Sequence, residues 1–201
     1  MSGPLTVGAA IVVGYLLGTF PTAVLVTRIA TRGAVDIRGA GSGNPGGLNT
    51  AHVVGRYWGF LVMLVDAGKG IGAGLLGWAV AGPNGAFAAA TAAIAGHIWP
   101  AWNRFRGGKG VATSGGAVLG VFPAFFPLDA AIAAAGALRL RNAERAIQLS
   151  SSVWVAASIV WWLADLPNLW GPHPTVALPI TQTVAAAMIL IKFYDARRRA
   201  Q

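Results

Sequence analysis

The sequence predicts an all-α membrane protein with about seven transmembrane helices, forming one domain over residues 1–201. Hydrophobic residues make up 55% of the chain and charged residues only 10%, whereas a soluble domain carries roughly 25% charged residues. Mean hydropathy is +0.61, and apolar runs of spanning length recur along the chain. We therefore expect lipid, rather than water, to surround most of the molecule.

Apolar runs of about 20 residues, the length that crosses a bilayer, place the helices. One stretch, Val111–Leu138, is too long for one straight span and contains Pro123 and Pro127. Proline interrupts helices, so we expect two spans that meet at a short turn. In chain order the expected helices are Leu5–Thr27, Tyr57–Val80, Gly85–Trp99, two within Val111–Leu138, Ile147–Ala164 and Thr175–Ile191.

The basic residues predict the orientation of these helices. With seven alternating spans, 14 of the 15 Lys and Arg residues fall on one side, and such residues mark the cytoplasmic face. We therefore expect an outside N-terminus, a cytoplasmic C-terminus and a location in a bacterial inner membrane. This placement also explains the net charge of +9 without a nucleic-acid partner. The 14 residues are Arg28, Arg32, Arg38, Arg56, Arg104, Arg106, Lys109, Arg139, Arg141, Arg145, Lys192, Arg197, Arg198 and Arg199.

The exception is Lys69, which lies inside the second predicted span with Asp66 three residues earlier. The two side chains share a helix face. A charge in mid-membrane costs roughly 2.5–3.5 kcal/mol on insertion scales, so we expect the two groups to pair and to face a polar cavity. A purely structural ion pair between helices is the alternative.

The first predicted cytoplasmic loop is rich in glycine, with the sequence GSGNPGGLN at residues 41–49. Glycine admits positive φ angles, so successive backbone N–H groups can converge on an anion. An ordinary flexible turn has a similar composition, so this loop alone does not identify a site. Its candidate binding residues are Gly41, Ser42, Gly43, Asn44, Gly46, Gly47 and Asn49.

The loop after the third helix combines glycine with basic residues and reads RFRGGKGVAT at residues 104–113. Glycine-rich backbone and helix N-termini bind phosphate through fixed dipoles, while Lys109 can add a charge and Thr113 a hydroxyl. The spacing is not that of a Walker P-loop, and a basic loop that only sets topology is the alternative. Gly107, Gly108 and Gly110 complete this set of candidates.

His97 precedes the second loop at the expected membrane interface. A histidine at a helix end is often a structural hydrogen-bond donor, but a neutral imidazole can also accept a proton. His52 lies near the first loop, and His173 lies on the opposite face. The three histidines and six acidic residues show no metal-ligand spacing, so no metal site is expected. Two anion-binding loops on one face, among apolar helices, indicate lipid phosphate chemistry.

These motifs, in this order, resemble the bacterial membrane acyltransferases that use acyl phosphate and glycerol 3-phosphate, the PlsY family. The resemblance is dense over residues 15–120. It rests on GSGNPGG with Asn49, on Asp66 with Lys69-Gly70, and on Gly96-His97 followed by Pro100 and GGKGVAT.

The resemblance implies transfer of a fatty acyl group from acyl phosphate to glycerol 3-phosphate. The products would be 1-acylglycerol 3-phosphate (lysophosphatidic acid), a precursor of phospholipids, and phosphate. It implies no cofactor, because the family needs neither acyl-CoA nor a metal. It also places Ser42, His97 and Lys109 in the substrate site as catalytic candidates, and Asn44 and Asn49 at polar binding positions.

Two positions in the first motif depart from the family pattern. Leu48 stands where the family usually has Thr, and His52 stands where it has an Arg that binds the acceptor phosphate. We expect His52 to contact that phosphate instead, or Arg56 to replace it from one helical turn later. The C-terminal YDARRRAQ also lacks the family's Asn–Arg and Gly–Glu stretches.

Two other function classes remain open at this point. A small transporter or flippase for phosphorylated metabolites would use the Asp66–Lys69 pair as a gate. Transporters often carry matching broken helices in both halves, and residues 120–201 contain no second glycine loop. The protein could also be a paralogue that binds lipid phosphates without catalysis, which would explain why Leu48 and His52 depart from the family pattern.

Overall fold

The computed structural model describes residues 3–136 and 143–198. Within this part of the chain, all helix and strand assignments are helical, and residues 101–103 form a short 3₁₀ turn. The helices are α1 Pro4–Gly18, α2 Thr22–Ala30, α3 Gly47–Val53, α4 Arg56–Ile98, α5 Val111–Val121, α6 Phe126–Ala135, α7 Ala143–Leu163 and α8 Ala177–Arg198.

The first predicted span, Leu5–Thr27, is present as the apolar segment Pro4–Ala30, but it is broken and not one continuous helix. The α1 helix ends at Gly18 and α2 begins at Thr22. Between them, the Thr22 amide donates to the Phe20 carbonyl over 2.9 Å, which is the bond of a three-residue γ-turn. Pro21 has no amide hydrogen to continue the helical ladder, and its ring crowds the preceding turn.

The α4 helix contains two of the predicted spans. Ala81 and Gly82 have non-helical backbone angles, with φ of −141° and +61°, so the chain reverses there between an arm over 56–80 and an arm over 83–98. Pro83 begins the second arm, where its missing N–H is not needed. The two predicted helices, Tyr57–Val80 and Gly85–Trp99, are confirmed.

The predicted break within Val111–Leu138 is also present, between α5 and α6. The α5 helix has 11 residues, and at about 1.5 Å per residue it covers only about half of the hydrocarbon core, so it is shorter than the predicted span. The α6 helix ends at Ala135, beside residues 137–142, which lie outside the described chain together with Leu138, so its span stays a prediction. Four longer segments are apolar enough to cross a bilayer: Pro4–Ala30, Arg56–Asn103, Arg145–Leu163 and Ala177–Arg198.

Small residues let the helices pack closely around α4. A Cβ atom on Gly14 of α1 would lie 2.2 Å from the Ala89 carbonyl oxygen. A Cβ on Gly116 of α5 would lie 1.9 Å from the Ala67 carbonyl oxygen. Such approaches are typical of membrane helices, where small residues form the interfaces. They fix α1 and α5 against the two arms of α4.

Hydrogen bonds gather the connecting segments at two ends of the bundle. At one end, Asn168 donates to the Val121 carbonyl over 2.8 Å, and Thr175 donates to the Asn84 side chain over 2.8 Å. At the other end, Arg38 donates to Asn103 over 3.0 Å. Both glycine loops lie at this second end. Of the 14 basic residues predicted on the cytoplasmic side, Arg139, Arg141 and Arg199 lie outside the described residues.

Candidate active site

A buried charged cluster lies between the two arms of α4. The Lys69 Nζ atom lies 2.7 Å from the Asp66 carboxylate and donates to the Phe20 carbonyl over 2.6 Å. The His97 Nδ1 atom lies 3.8 Å from the same Asp66 oxygen. All three side chains are less than 9% exposed. The spacing of Asp66 and Lys69 predicts the ion pair on the first arm, and the structure adds His97 from the second arm.

The second glycine loop folds back onto His97. The amides of Gly107 and Gly108 donate to the carbonyls of Ile98 and His97 over 3.0 and 3.1 Å. A Cβ on Gly108 would lie 2.3 Å from His97 Nε2, so only glycine leaves room for the imidazole here. The requirement for glycine at this position therefore follows from backbone packing against the His97 ring.

Asn49 organises the first glycine loop from within. Its amide group donates to the carbonyls of Ile37 and Ala40 over 3.3 and 2.9 Å and accepts the Ser42 amide over 2.9 Å. The residue is only 6% exposed. Gly41 has a φ of +58°, and a Cβ there would lie 2.3 Å from the Asn49 oxygen. In this structure, Asn49 holds the loop that presents Ser42.

Arg38 joins the two loops. It forms a 2.7 Å ion pair with Asp36 and donates through a second nitrogen to Asn103. Hydrogen bonds from the Arg38 side chain, and then from its backbone N–H, lower the pKa of the Asp36 carboxyl from 3.8 to about 2. The aspartate therefore stays ionised near neutral pH and keeps the guanidinium oriented toward the second loop.

Lys109 reaches the C-terminal helix. Its Nζ atom lies 4.5 Å from the centre of the Phe193 ring of α8, within cation–π distance. Phe193 is only 6% exposed, so its ring offers a fixed face. This contact brings the end of α8 to the same cavity as the glycine loops.

The two loops and the end of α8 enclose a large basic cavity, which we call the outer cavity, of about 900 Å³. Its size and its cations suit phosphate-bearing ligands, because arginine and lysine form charge-assisted hydrogen bonds to phosphate oxygens. Its lining includes Arg38, Ser42, Gly43, Asn44, Arg104, Arg106, Gly107, Lys109, Lys192, Phe193, Asp195 and Arg197.

A smaller cavity of about 210 Å³, the inner cavity, lies next to the outer one and is lined by the charged cluster. The two share Arg38, Asn103 and Arg106 in their linings. An apolar groove of about 650 Å³ shares Phe20 and Lys69 with the inner cavity. Basic outer cavity, inner cavity and apolar groove are therefore neighbours in that order. The remaining lining of the groove is Val13, Leu16, Leu17, Val65 and Gly68.

The structure gathers most, but not all, of the residues predicted for the site. Ser42, Gly43, Asn44, Gly107 and Lys109 line the outer cavity. Asp66, Lys69, His97, Gly107 and Gly108 line the inner cavity. Neither lining includes Gly41, Gly46, Gly47, Asn49, His52, Arg56, Gly110 or Thr113.

Thr113 and His52 lie in different surroundings. Thr113 is fully buried, with its carbonyl facing Gly70 of α4, so it belongs to a helix contact. His52 is exposed in the last turn of α3, and Arg56 is exposed where α4 begins.

Several lining residues were missed by the sequence interpretation. The sequence marks Arg38, Lys192 and Arg197 only as residues of the cytoplasmic face and gives Arg106 no role of its own within the second loop, yet all four line the outer cavity. Thr22 was placed inside a continuous helix, although it begins α2 and lines the inner cavity. The proline before Thr22 was the available signal, since it interrupts a helix.

Sequence comparisons identify the family of this chain. Residues 8–200 match the family described as Glycerol-3-phosphate acyltransferase. The glycerol-3-phosphate acyltransferase of Rhodopseudomonas palustris is 36% identical over 92% of this chain and 86% of its own length. That of Bradyrhizobium diazoefficiens is 36% identical over 78% of this chain and 77% of its own length.

The fold also matches a solved membrane enzyme. The crystal structure of PlsY, an integral membrane glycerol 3-phosphate acyltransferase, in its glycerol 3-phosphate form superposes with a TM-score of 0.76. The match has 26% identity and covers 96% of this chain and 91% of the other. The match over residues 8–200 and the relatives at 36% identity establish the conclusion: this chain is a multi-pass membrane protein of the glycerol-3-phosphate acyltransferase family.

Proposed function

We propose that this protein transfers a fatty acyl group from acyl phosphate to glycerol 3-phosphate, giving lysophosphatidic acid and inorganic phosphate. The acceptor hydroxyl oxygen forms a bond to the acyl carbonyl carbon, and the bond from that carbon to the phosphate oxygen breaks. Phosphate leaves with the electron pair, and the hydroxyl proton ends on phosphate. No other reactant is needed for this balance.

The order of the outer cavity, the inner cavity and the apolar groove supports the proposal. The outer cavity provides cations for the phosphates of both substrates, and the apolar groove suits the acyl chain. The buried Asp66–Lys69–His97 cluster lies between them, where the acyl carbon must meet the acceptor hydroxyl. A transporter of small phosphorylated metabolites would need the basic cavity, but it would not need an adjoining apolar groove that fits an acyl chain.

Three residues take the chemical roles in this proposal. Lys109 binds the phosphate of the acyl donor and the charge that develops on it as it leaves. Ser42 hydrogen-bonds the acceptor in the outer cavity. His97 faces both the glycine loop and Asp66, and it moves the hydroxyl proton toward phosphate. The glycines and Asn49 hold the loops in place for these contacts.

The same proposal places the protein in the bacterial inner membrane with both glycine loops in the cytoplasm. The basic residues that face the outer cavity lie at one end of the bundle, and Lys and Arg are absent from residues 81–84, 120–127 and 165–174. Basic loops stay on the cytoplasmic side. Glycerol 3-phosphate is water-soluble, so it would enter the outer cavity from the cytoplasm.

The direct test is an assay of purified protein in lipid with palmitoyl phosphate and glycerol 3-phosphate. We expect equal amounts of lysophosphatidic acid and phosphate, and no product when palmitoyl-CoA replaces the donor. Release of phosphate without lysophosphatidic acid would show that water or another acceptor is used. Absence of both products would refute the proposed reaction.

A further inference from the structure

The break between α1 and α2 gives the inner cavity a helix N-terminus. Thr22, Ala23 and Val24, the first residues of α2, line the cavity. The first amides of a helix have no intrahelical acceptor, and the Thr22 amide uses the Phe20 carbonyl. The amides of Ala23 and Val24 find no acceptor among residues 3–136 and 143–198. Two backbone donors are therefore available at the cavity wall.

The Thr22 hydroxyl is a second and independent sign of a ligand. Thr22 is only 3% exposed, and its Oγ1 atom is buried without a hydrogen-bond partner in the described chain. Nearby Thr19 and Thr31 donate their hydroxyls to the carbonyls of Leu16 and Thr27. Buried polar groups in proteins are nearly always paired, so an unpaired hydroxyl on a residue of the cavity wall indicates an acceptor that a ligand can supply.

The charge around the inner cavity selects the kind of acceptor. Lys69 is neutralised by Asp66 at 2.7 Å, whereas Arg38 and Arg106, which line both cavities, supply cations for phosphate where the inner cavity meets the outer one. The apolar groove meets the inner cavity at Phe20 and Lys69. A polar but uncharged group attached to an apolar chain fits this position, and the carbonyl of a fatty acyl donor is such a group.

We propose that the Thr22 hydroxyl and the first N–H groups of α2 bind the carbonyl oxygen of the acyl donor. This inference rests on the proposed acyl transfer. When the acceptor oxygen bonds to the carbonyl carbon, the π electron pair of the carbonyl moves onto the carbonyl oxygen. The Thr22 hydroxyl and the α2 N–H groups stabilise the negative charge on that oxygen. The pair returns as the bond to phosphate breaks. The α2 N-terminus supports the same charge through its dipole.

Substitutions of Thr22 test this role against a structural one. Thr22→Val keeps the shape and removes the donor, and we expect kcat to fall by roughly 10²-fold, as for other oxyanion donors. The KM for glycerol 3-phosphate and the thermal midpoint should change little, because the hydroxyl has no partner in the protein. Thr22→Ser should retain most of the activity. Thr27→Val is the matched control: its hydroxyl is also buried and unpaired, but Thr27 does not line the cavity.

Inhibitors give a readout that does not depend on turnover. A β-keto phosphonate keeps the carbonyl but cannot transfer its acyl group, and an alkyl phosphonate of equal length lacks the carbonyl. We expect the wild type to favour the keto compound and Thr22→Val to lose most of that preference. Normal kcat and unchanged preference in Thr22→Val, in an active wild type, would overturn the assignment. An inactive wild type would instead refute the proposed reaction.

Discussion

Lys109 lies where the second glycine loop meets the outer cavity and the Phe193 ring. If it binds a donor phosphate, Lys109→Ala should lower kcat/KM by roughly 10- to 150-fold, since a charge-assisted contact contributes about 1.5–3 kcal/mol. Phe193→Leu removes only the ring that orients the Lys109 ammonium, so kcat/KM should fall only about five-fold. Steady-state kinetics of both variants in lipid provide the measurement. Equal turnover in Lys109→Ala and wild type would mean that the basic residues of this loop set membrane topology and that Lys109 does not bind substrate.

His52 is exposed in the last turn of α3. The sequence interpretation predicts that His52 contacts the acceptor phosphate. In that case His52→Arg should lower the KM for glycerol 3-phosphate, because a guanidinium binds phosphate with two parallel hydrogen bonds. The exposed position of His52, away from both cavity linings, leads us to expect that His52→Arg leaves KM unchanged.

Arg56→Ala completes this comparison, because Arg56 is the other proposed substitute for the family arginine. We expect it also to retain acceptor saturation, while Arg38→Gln, which alters a cavity-lining cation, should raise KM. A lower KM in His52→Arg would assign the acceptor phosphate contact to position 52. Loss of saturation in Arg56→Ala alone would assign the contact to Arg56.

At the scale of helices, contact between α4 and α5 positions the second loop against the charged cluster. Gly116→Ala would bring a Cβ to within 1.9 Å of the Ala67 carbonyl oxygen, so the helices must separate, at a cost of about 1–3 kcal/mol. We expect lower activity and a lower thermal midpoint. The adjacent Gly115 has open space around its Cβ position, so Gly115→Ala should keep both values near wild type. Equal behaviour of the two variants would contradict this role of the contact.

Hydropathy predicted the helices well wherever an apolar run ended in a polar turn. The two arms of α4 follow from such runs, because the sequence between them contains Gly82 and Pro83. The γ-turn before Thr22 was missed, since Thr19 and Phe20 are compatible with a span and an averaged window conceals one proline. The α3 helix was missed because its sequence, GLNTAHV, has no apolar periodicity.

The parts of the site that depend on local sequence were predicted, and those that depend on distant contacts were not. Asp66 and Lys69 are three residues apart, so helical geometry alone pairs them. Arg38 and Asn103 are separated by 65 residues, and Lys109 meets Phe193 from another helix. No spacing rule links such positions. Asn49 carries a polar side chain of the kind that binds ligands, which is why the sequence suggests a binding role. In the folded loop this side chain instead forms three hydrogen bonds within the protein.

At the scale of the whole molecule, the two ends of the bundle should face different compartments. The chain contains no cysteine, so individual cysteines report sidedness cleanly. We expect Ala34→Cys and Ala101→Cys, both exposed near the glycine loops, to react only with reagent admitted to the cytoplasm. Leu169→Cys, 64% exposed at the other end, should react from outside. Labelling of Ala34→Cys from outside would reverse the proposed orientation.

The apolar groove beside α1 has a consequence for how the two substrates are supplied. Leu16 and Phe20 in its lining are each 50% exposed, so the groove opens sideways toward the lipid that surrounds the helices. In the proposed reaction, the donor therefore arrives by two-dimensional diffusion, and its effective concentration is a mole fraction in the bilayer. The acceptor arrives from water and is measured per volume. Added inert lipid would dilute the acyl donor and leave the concentration of glycerol 3-phosphate unchanged. The reaction rate therefore depends on the amount of membrane as well as on the amounts of the two substrates.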